Sequence, residues 1–315
     1  MRLHRTPARR RGGFTLIELI VVIAIIAALV ALLLSGLSAA FSKMDEVKTH
    51  NEITGLSGGL TQFMADFKVQ GSPPPSRLYL DETGTYNPAA PVNGFPGFNN
   101  LSAAQQAALT QLAIDSKNYL YSKLFPRAPL SLDWNLNGKI DGPTVLEGEQ
   151  CLVFFLAGPI VNGSPSGFST DPTNPLKVVN GQAVPPRKGP YFQFVTTRLR
   201  PFGQNGYPVY FDAYSSNPPV GNDKPYAYFS CGTAANNYLA YSGLGSSDCS
   251  LLGVVPYQNS GTFYKADGFQ IISAGKNQAF GAGGQWTPQS GPSATAPFGA
   301  DDISNFYDAK LGVTP

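Results

Sequence analysis

One nine-residue loop carries the clearest pattern of chemistry in the chain: Asp133-Trp-Asn135-Leu-Asn137-Gly138-Lys-Ile140-Asp141. Side-chain oxygens fall at loop positions one, three, five and nine. A glycine suited to a sharp turn stands at six and an apolar residue at eight, which is the front of an EF-hand-like calcium loop. Position twelve, which in such a loop carries a bidentate acid, is Thr144, and Glu147 stands three residues late. The spacing predicts a weak or water-completed Ca2+ site on Asp133, Asn135, Asn137 and Asp141. The same residues also suit a pair of Asn/Asp turns around Asn137-Gly138, which need no metal.

Other chemistry is sparse. The two histidines are His4 and His50, too few for a triad or a histidine-built zinc site. There is no P-loop and no C-x-x-C, and no acid pair stands out as one suited to glycoside hydrolysis. The chain is expected not to be an enzyme.

The element that must hold the remaining notable acid is an apolar run. Residues 14–34 (FTLIELIVVIAIIAALVALLL) contain a single charge, Glu18. As a helix rising about 1.5 Å per residue they reach about 31 Å, the thickness of a hydrocarbon core. Arg2, Arg5, Arg9, Arg10 and Arg11 precede the run with no acid among them, which keeps the leader cytoplasmic and places the rest across the membrane. A carboxylate inside such a helix costs about 2.5–3.5 kcal/mol near the bilayer centre, so it calls for a partner. An ordinary secretory signal has a shorter apolar stretch. Ser38-Ala39-Ala40 offers a cut site for that reading, which leaves Glu18 without a role.

Gly13 followed by FTLIELIVV resembles the processing signal of type IV prepilins and type II secretion pseudopilins. The resemblance covers residues 12–34. It implies cleavage by the prepilin peptidase after Gly13 and N-methylation of Phe14 as the new amino terminus. Glu18 becomes the acid five residues into the mature chain, paired with the amino terminus of a neighbouring subunit. It also implies a homo- or hetero-polymer of pilin-like subunits raised on an inner-membrane assembly platform. The chain would cross the inner membrane once, with its globular domain periplasmic, before entering a periplasmic or surface filament. The alternative is a permanent signal anchor whose Glu18 is hydrated near the interface. No proline interrupts the run, so no kink is expected there.

Past Ser35-Gly36 the pattern turns amphipathic. Phe41, Met44 and Val47, then Ile53, Leu56, Leu60, Phe63 and Phe67, recur at three- and four-residue steps, with a slip of phase between Val47 and Ile53. This predicts one helix from Phe14 to near Lys68, on the order of 80 Å long. Gly55, Gly58 and Gly59 each cost about 1 kcal/mol relative to Ala and predict a soft section. The Leu56/Leu60/Phe63/Phe67 stripe is expected in the core, and Pro73-Pro74-Pro75 closes the helix. The expected organisation is a leader 1–13, a transmembrane helix 14–34, an amphipathic stalk helix 35–70 and an extracytoplasmic globular domain 76–315.

Only 13% of the 315 residues are charged, about half the usual ~25%. With 34 Gly and 27 Pro, short strands and long loops are expected, and 20 Phe and 15 Tyr supply a core. The fold class is α+β, a long amino-terminal helix packed on an antiparallel sheet. A second helix is predicted over 101–125, with Ser102 as its cap. Strands are predicted at 151–156 (CLVFFL), 191–196 (YFQFVT), 207–211 (YPVYF), 226–230 (YAYFS) and 268–273 (GFQIIS). In an oxidising compartment Cys231 and Cys249 could form a disulfide worth roughly 3 kcal/mol, with Cys151 a buried thiol, although three cysteines permit other pairings.

The carboxyl-terminal region, DGFQIISAG at 267–275 and DDISNF at 301–306, resembles the end of the major type II pseudopilin. In that family a strand, a glycine turn and an acid-rich loop close around calcium. The resemblance implies Asp301 and Asp302 as ligands here, with Asn277 where the family usually has an acid. An Asp-rich turn capping the segment after it is the plainer alternative. The favoured reading is a secretion pseudopilus subunit. A minor pilin for adhesion, motility or DNA uptake, and a signal-anchored binding domain that does not polymerise, stand behind it. The formal charge of +2 turns to −3 once five of the 22 basic residues leave with the leader against 20 acidic ones, so no nucleic-acid partner is expected.

Overall fold

The computed structural model describes residues 15–93, 96–290 and 297–312; the leader, Gly13 and Phe14 lie outside them. Two compact units are present, Met1–Asp45 and Glu46–Pro315. Helix α1 (Leu16–Asp66) begins in the first and ends in the second. Within it, Leu16–Leu33 is long and apolar enough to cross a membrane, and its side chains are exposed.

In the second unit, α1 buries Thr49, Ile53, Leu56, Leu60 and Phe63, and Phe67 just past its end continues the same three- and four-residue steps expected of one helix face. Met44 and Val47 are exposed, so the slip of phase ends the buried stripe before them; the Phe41 side chain lies outside the description. The expected soft section is instead unbroken helix. A Cβ on Gly59 would stand 2.6 Å from the Tyr191 carbonyl oxygen, and one on Gly55 3.0 Å from the Phe192 ring. These two glycines let neighbouring chain lie directly against the helix backbone, and that contact offsets their low helix propensity.

Helix α2 (Ala103–Asn118) opens with a capping box: Gln105 N donates to Ser102 Oγ, and Ser102 N donates to Gln105 Oε1. It continues as a π-helical turn over Tyr119–Leu124 and buries Leu109, Leu112, Ala113 and Ser116.

Helix α3 (Gly148–Ala157) replaces the strand expected at 151–156. All ten of its residues are buried, so the run shows neither helical nor strand periodicity, and aromatic content alone misleads. Its start is marked by Glu147 N donating to Gln150 Oε1 at 3.3 Å. The strand expected at 191–196 is also absent. Tyr191 N donates to Leu156 O of α3 at 2.8 Å, and the Phe192 and Phe194 rings pack on Tyr210, so this backbone enters no ladder.

The other three expected strands form. Pro208–Tyr210 pairs antiparallel with Leu199–Pro201. Ala227–Ser230 pairs with Phe269–Ser273, which also pairs with Ile303–Ser304, making a three-stranded antiparallel sheet. Alternation sends Tyr228, Ile271 and Ile303 into the large core that holds α1, α2 and α3. Ala227, Phe229 and Ile272 enter a second core with Tyr257, Trp286 and Leu311. A separate antiparallel pair, Leu78–Leu80 with Thr144–Leu146, sets Leu80 opposite Thr144. That register positions the loop described next.

Candidate functional site

At the start of α1, Thr15 N and Thr15 Oγ1 each donate to Glu18 Oε2 at 2.8 Å, while Glu18 N donates to Thr15 Oγ1 at 3.3 Å. This is a reciprocal capping box, which explains how an acid is tolerated at the head of an apolar helix. Gly13 and Phe14 lie outside the described residues.

The 133–141 loop is folded around its own polar groups. Asn137 N donates to Asp133 Oδ1 at 3.1 Å and to Asn135 Oδ1 at 2.9 Å, and Gly138 N donates to Asp133 Oδ2 at 2.7 Å. Lys139 N donates to Asn137 Oδ1 at 2.8 Å. The Asn137 and Asn135 amides donate to Asp141 Oδ2 at 2.7 and 3.2 Å, and they hold that carboxyl below the usual carboxylate range. Gly138 has φ +83°, with open space where a Cβ would stand. All four expected residues are therefore brought together on one turn.

Glu82, absent from the sequence reading, meets this loop from the chain following the Leu78–Leu80 strand. Its Oε1 accepts from Trp134 N at 2.9 Å and from Asn135 N at 3.3 Å, and its Oε2 accepts from Asp141 N at 2.8 Å. Burial pushes its pKa up against the pull of these N–H groups. The adjacent Asp81 is spent locally, accepting from Thr83, Thr85 and Tyr86. Glu82 stands 52 residues before Trp134, so only the strand register could have announced it.

Among the described residues, no three His, Cys, Asp or Glu side chains converge closely enough to hold a metal by themselves. A cation at this loop would depend on the amide oxygens of Asn135 and Asn137 as well as on carboxylates. An all-oxygen set of this kind suits a hard cation.

The carboxyl-terminal candidates are only partly assembled. Asn277 N donates to Asp301 Oδ2 at 2.9 Å, and Asn277 Nδ2 donates to Phe298 O at 2.6 Å. Asp302 is fully buried and accepts at Oδ2 from Gly281 N at 3.0 Å and from Tyr257 Oη at 3.2 Å. Burial pushes its pKa up to about 8.

The expected Cys231–Cys249 bridge is not formed: all three cysteines are buried free thiols. Cys249 Sγ donates to Tyr228 O at 3.4 Å and Cys231 Sγ is directed to Gly232 O at 3.9 Å, so the two sulfurs are turned to different carbonyls. Cys151 is buried in α3, as expected, with burial raising its pKa.

A buried polar group that the sequence reading missed surrounds Arg77. Its guanidinium donates to Ser247 O at 2.6 Å and pairs with Glu147 and Asp248, each at 3.5 Å. These contacts tie the start of the globular chain to the entry of α3.

The family model described as the prokaryotic N-terminal methylation motif matches residues 8–34. No curated protein and no solved structure matches the chain. The chain thus carries the type IV pilin and pseudopilin signal, which implies processing by the prepilin peptidase and assembly with other pilin subunits. It is membrane-anchored through its amino-terminal apolar helix.

Proposed function

We propose that this protein is a structural, non-catalytic subunit of a type II secretion pseudopilus or related pilus-like filament. It is cut after Gly13, methylated at Phe14 and assembled through helix α1. The observation that carries the reading is the coincidence of the methylation motif at 8–34 with an exposed apolar helix headed by Glu18. A helix of this composition gives up its exposed surface to lipid or to like helices. Glu18 then pairs with the Phe14 amino group of the next subunit, neutralising both charges and setting the axial register. The globular unit faces the periplasm, as the arginine-rich leader requires. Intact-mass measurement of protein from a host with the peptidase should show loss of thirteen residues and gain of one methyl group. A chain left whole, or cut after Ala40, would overturn the reading.

We also propose that the 133–141 loop holds Ca2+ through Asp133, Asn135, Asn137 and Asp141. The support is the loop spacing and the collection of these oxygens on one turn. Bound there, the ion would neutralise the carboxylates and brace the turn. Calorimetric titration of the detergent-solubilised protein should show calcium binding that Asp133→Ala abolishes. Absence of heat in the wild type would dismiss the site.

A further inference from the structure

Helix α2 runs into the π-helical turn Tyr119–Leu124, where Phe125 N reaches back five residues to Leu120 O at 2.7 Å. Such turns are rare and gather at functional sites. This one borders a cavity of about 290 Å³ within the second unit. The chain at 72–77 that follows α1 and the chain at 230–233 form its other walls.

Most of the charge on this lining is already matched. Asp248 pairs with Arg77 and accepts from Ser76 Oγ at 2.7 Å. Asp115 accepts from Tyr241 Oη at 2.9 Å and from Gln111 Nε2 at 3.0 Å. Two donors on the π-helical turn are not matched. The Tyr119 hydroxyl is buried without a hydrogen-bond partner, and the residue is 5% exposed. Burial pushes its pKa up, so it stays an O–H donor. Lys123 pairs with no acid among the described residues. Its ammonium lies 5.7 Å from the Tyr119 ring centroid and donates to Ser72 Oγ at 3.4 Å.

We propose that this cavity binds a small α-carboxylate, a free amino acid or the carboxyl terminus of a peptide, through the Tyr119 hydroxyl and the Lys123 ammonium. An unsatisfied buried hydroxyl is costly, which points to an acceptor in the cavity. A water would satisfy the hydroxyl and leave the lysine without a counter-ion. A carboxylate does both, with one oxygen for each donor. One ammonium and one neutral hydroxyl match a single negative charge, which favours a carboxylate over a doubly charged phosphate. The volume lies at the small end of ligand sites, about 300–1,000 Å³. Thr233 and Asn237 on the same lining offer polar contacts to the rest of the ligand. The site depends on neither filament assembly nor calcium.

The test is saturation-transfer NMR on the full chain in detergent with L-alanine, N-acetyl-L-alanine and N-acetyl-L-alaninamide. Both acids should bind, and the amide, which lacks the carboxylate, should not. Tyr119→Phe and Lys123→Met should each weaken the acids about tenfold or more, as loss of a charge-assisted hydrogen bond does. Without any probe, Tyr119→Phe should melt no lower than wild type, because the hydroxyl it removes has no partner in the fold. A lower melting temperature would place that hydroxyl in a bond within the fold and count against the site. Tighter binding of L-alanine than of its acetylated form would identify a free amino acid; the reverse would identify a peptide terminus. If neither acid binds, if the amide binds as well as the acids, or if Tyr119→Phe binds them like wild type, the cavity is not a carboxylate site.

Discussion

Arg198 and Glu52 form an ion pair within the second unit: Arg198 Nη1 donates to Glu52 Oε2 at 3.1 Å, with side chains 3% and 12% exposed. Tyr226 Oη donates to the same oxygen at 2.8 Å, and the guanidinium lies 4.6 Å from the Tyr210 ring centroid while also donating to its hydroxyl. The pair fastens the segment around Leu199–Pro201 to helix α1. Breaking a buried pair by removing one partner leaves the other charge unmatched, at about 3–5 kcal/mol. Glu52→Ala should lose that much in denaturant unfolding, and Glu52→Ala with Arg198→Met should recover part of it. A single variant as stable as wild type would show that the pair does not fasten the helix.

The glycines of α1 should respond in opposite directions. At Gly59 a Cβ meets the Tyr191 carbonyl at 2.6 Å, whereas at Gly58 nothing lies within 4 Å. Gly59→Ala should therefore destabilise by about 1–3 kcal/mol through overpacking. Gly58→Ala should stabilise by up to about 1 kcal/mol through helix propensity. Equal shifts in melting temperature would refute the close-approach account.

Glu18 has two separable roles, capping α1 and carrying charge. Gln serves a capping box as Glu does, so Glu18→Gln should leave helix content and membrane insertion unchanged. It lacks the charge proposed to pair with the Phe14 amine, so filaments should be lost in electron micrographs. Normal filaments from the Gln variant would refute the register pair.

Stability should fall as pH rises. Glu149 is 1% exposed and neither of its oxygens has a hydrogen-bond partner; burial, then the neighbouring Glu147, pushes its pKa from 4.5 up to about 8. Burial likewise takes Asp302 from 3.8 to about 8 and Asp212 to about 6. Each folded acid keeps a proton that the unfolded chain releases above its ordinary pKa. Stability is therefore lost from about pH 4 to about pH 8 and levels off beyond. Glu149→Gln should flatten that descent in thermal melts taken across this range. A wild type as stable at high as at low pH would overturn the assignment of neutral buried acids.

The strands at Ala227–Ser230 and Phe269–Ser273 were legible because aromatic and β-branched residues between turn-forming stretches report pleated, packed chain. The stripe from Ile53 to Phe67 was legible because one face is buried and the other wet. Segment 151–156 was not, since a helix buried on all sides has no polar face to mark its period. The cysteine pairing failed for a related reason: sequence separation limits loop entropy but says nothing of where two sulfurs point.

Sequence alone determined the arginine-rich amino terminus, the apolar span with its single acid and the oxygen spacing of the 133–141 loop. Each is a pattern of near neighbours, fixed by covalent spacing and by the choice between water and lipid. Tertiary structure alone decided that Asp302 turns into the core, that Gly59 receives the Tyr191 carbonyl and that Glu82 meets the loop. Those placements depend on strand register and helix docking, which join residues dozens of positions apart and leave no mark in the local order of side chains.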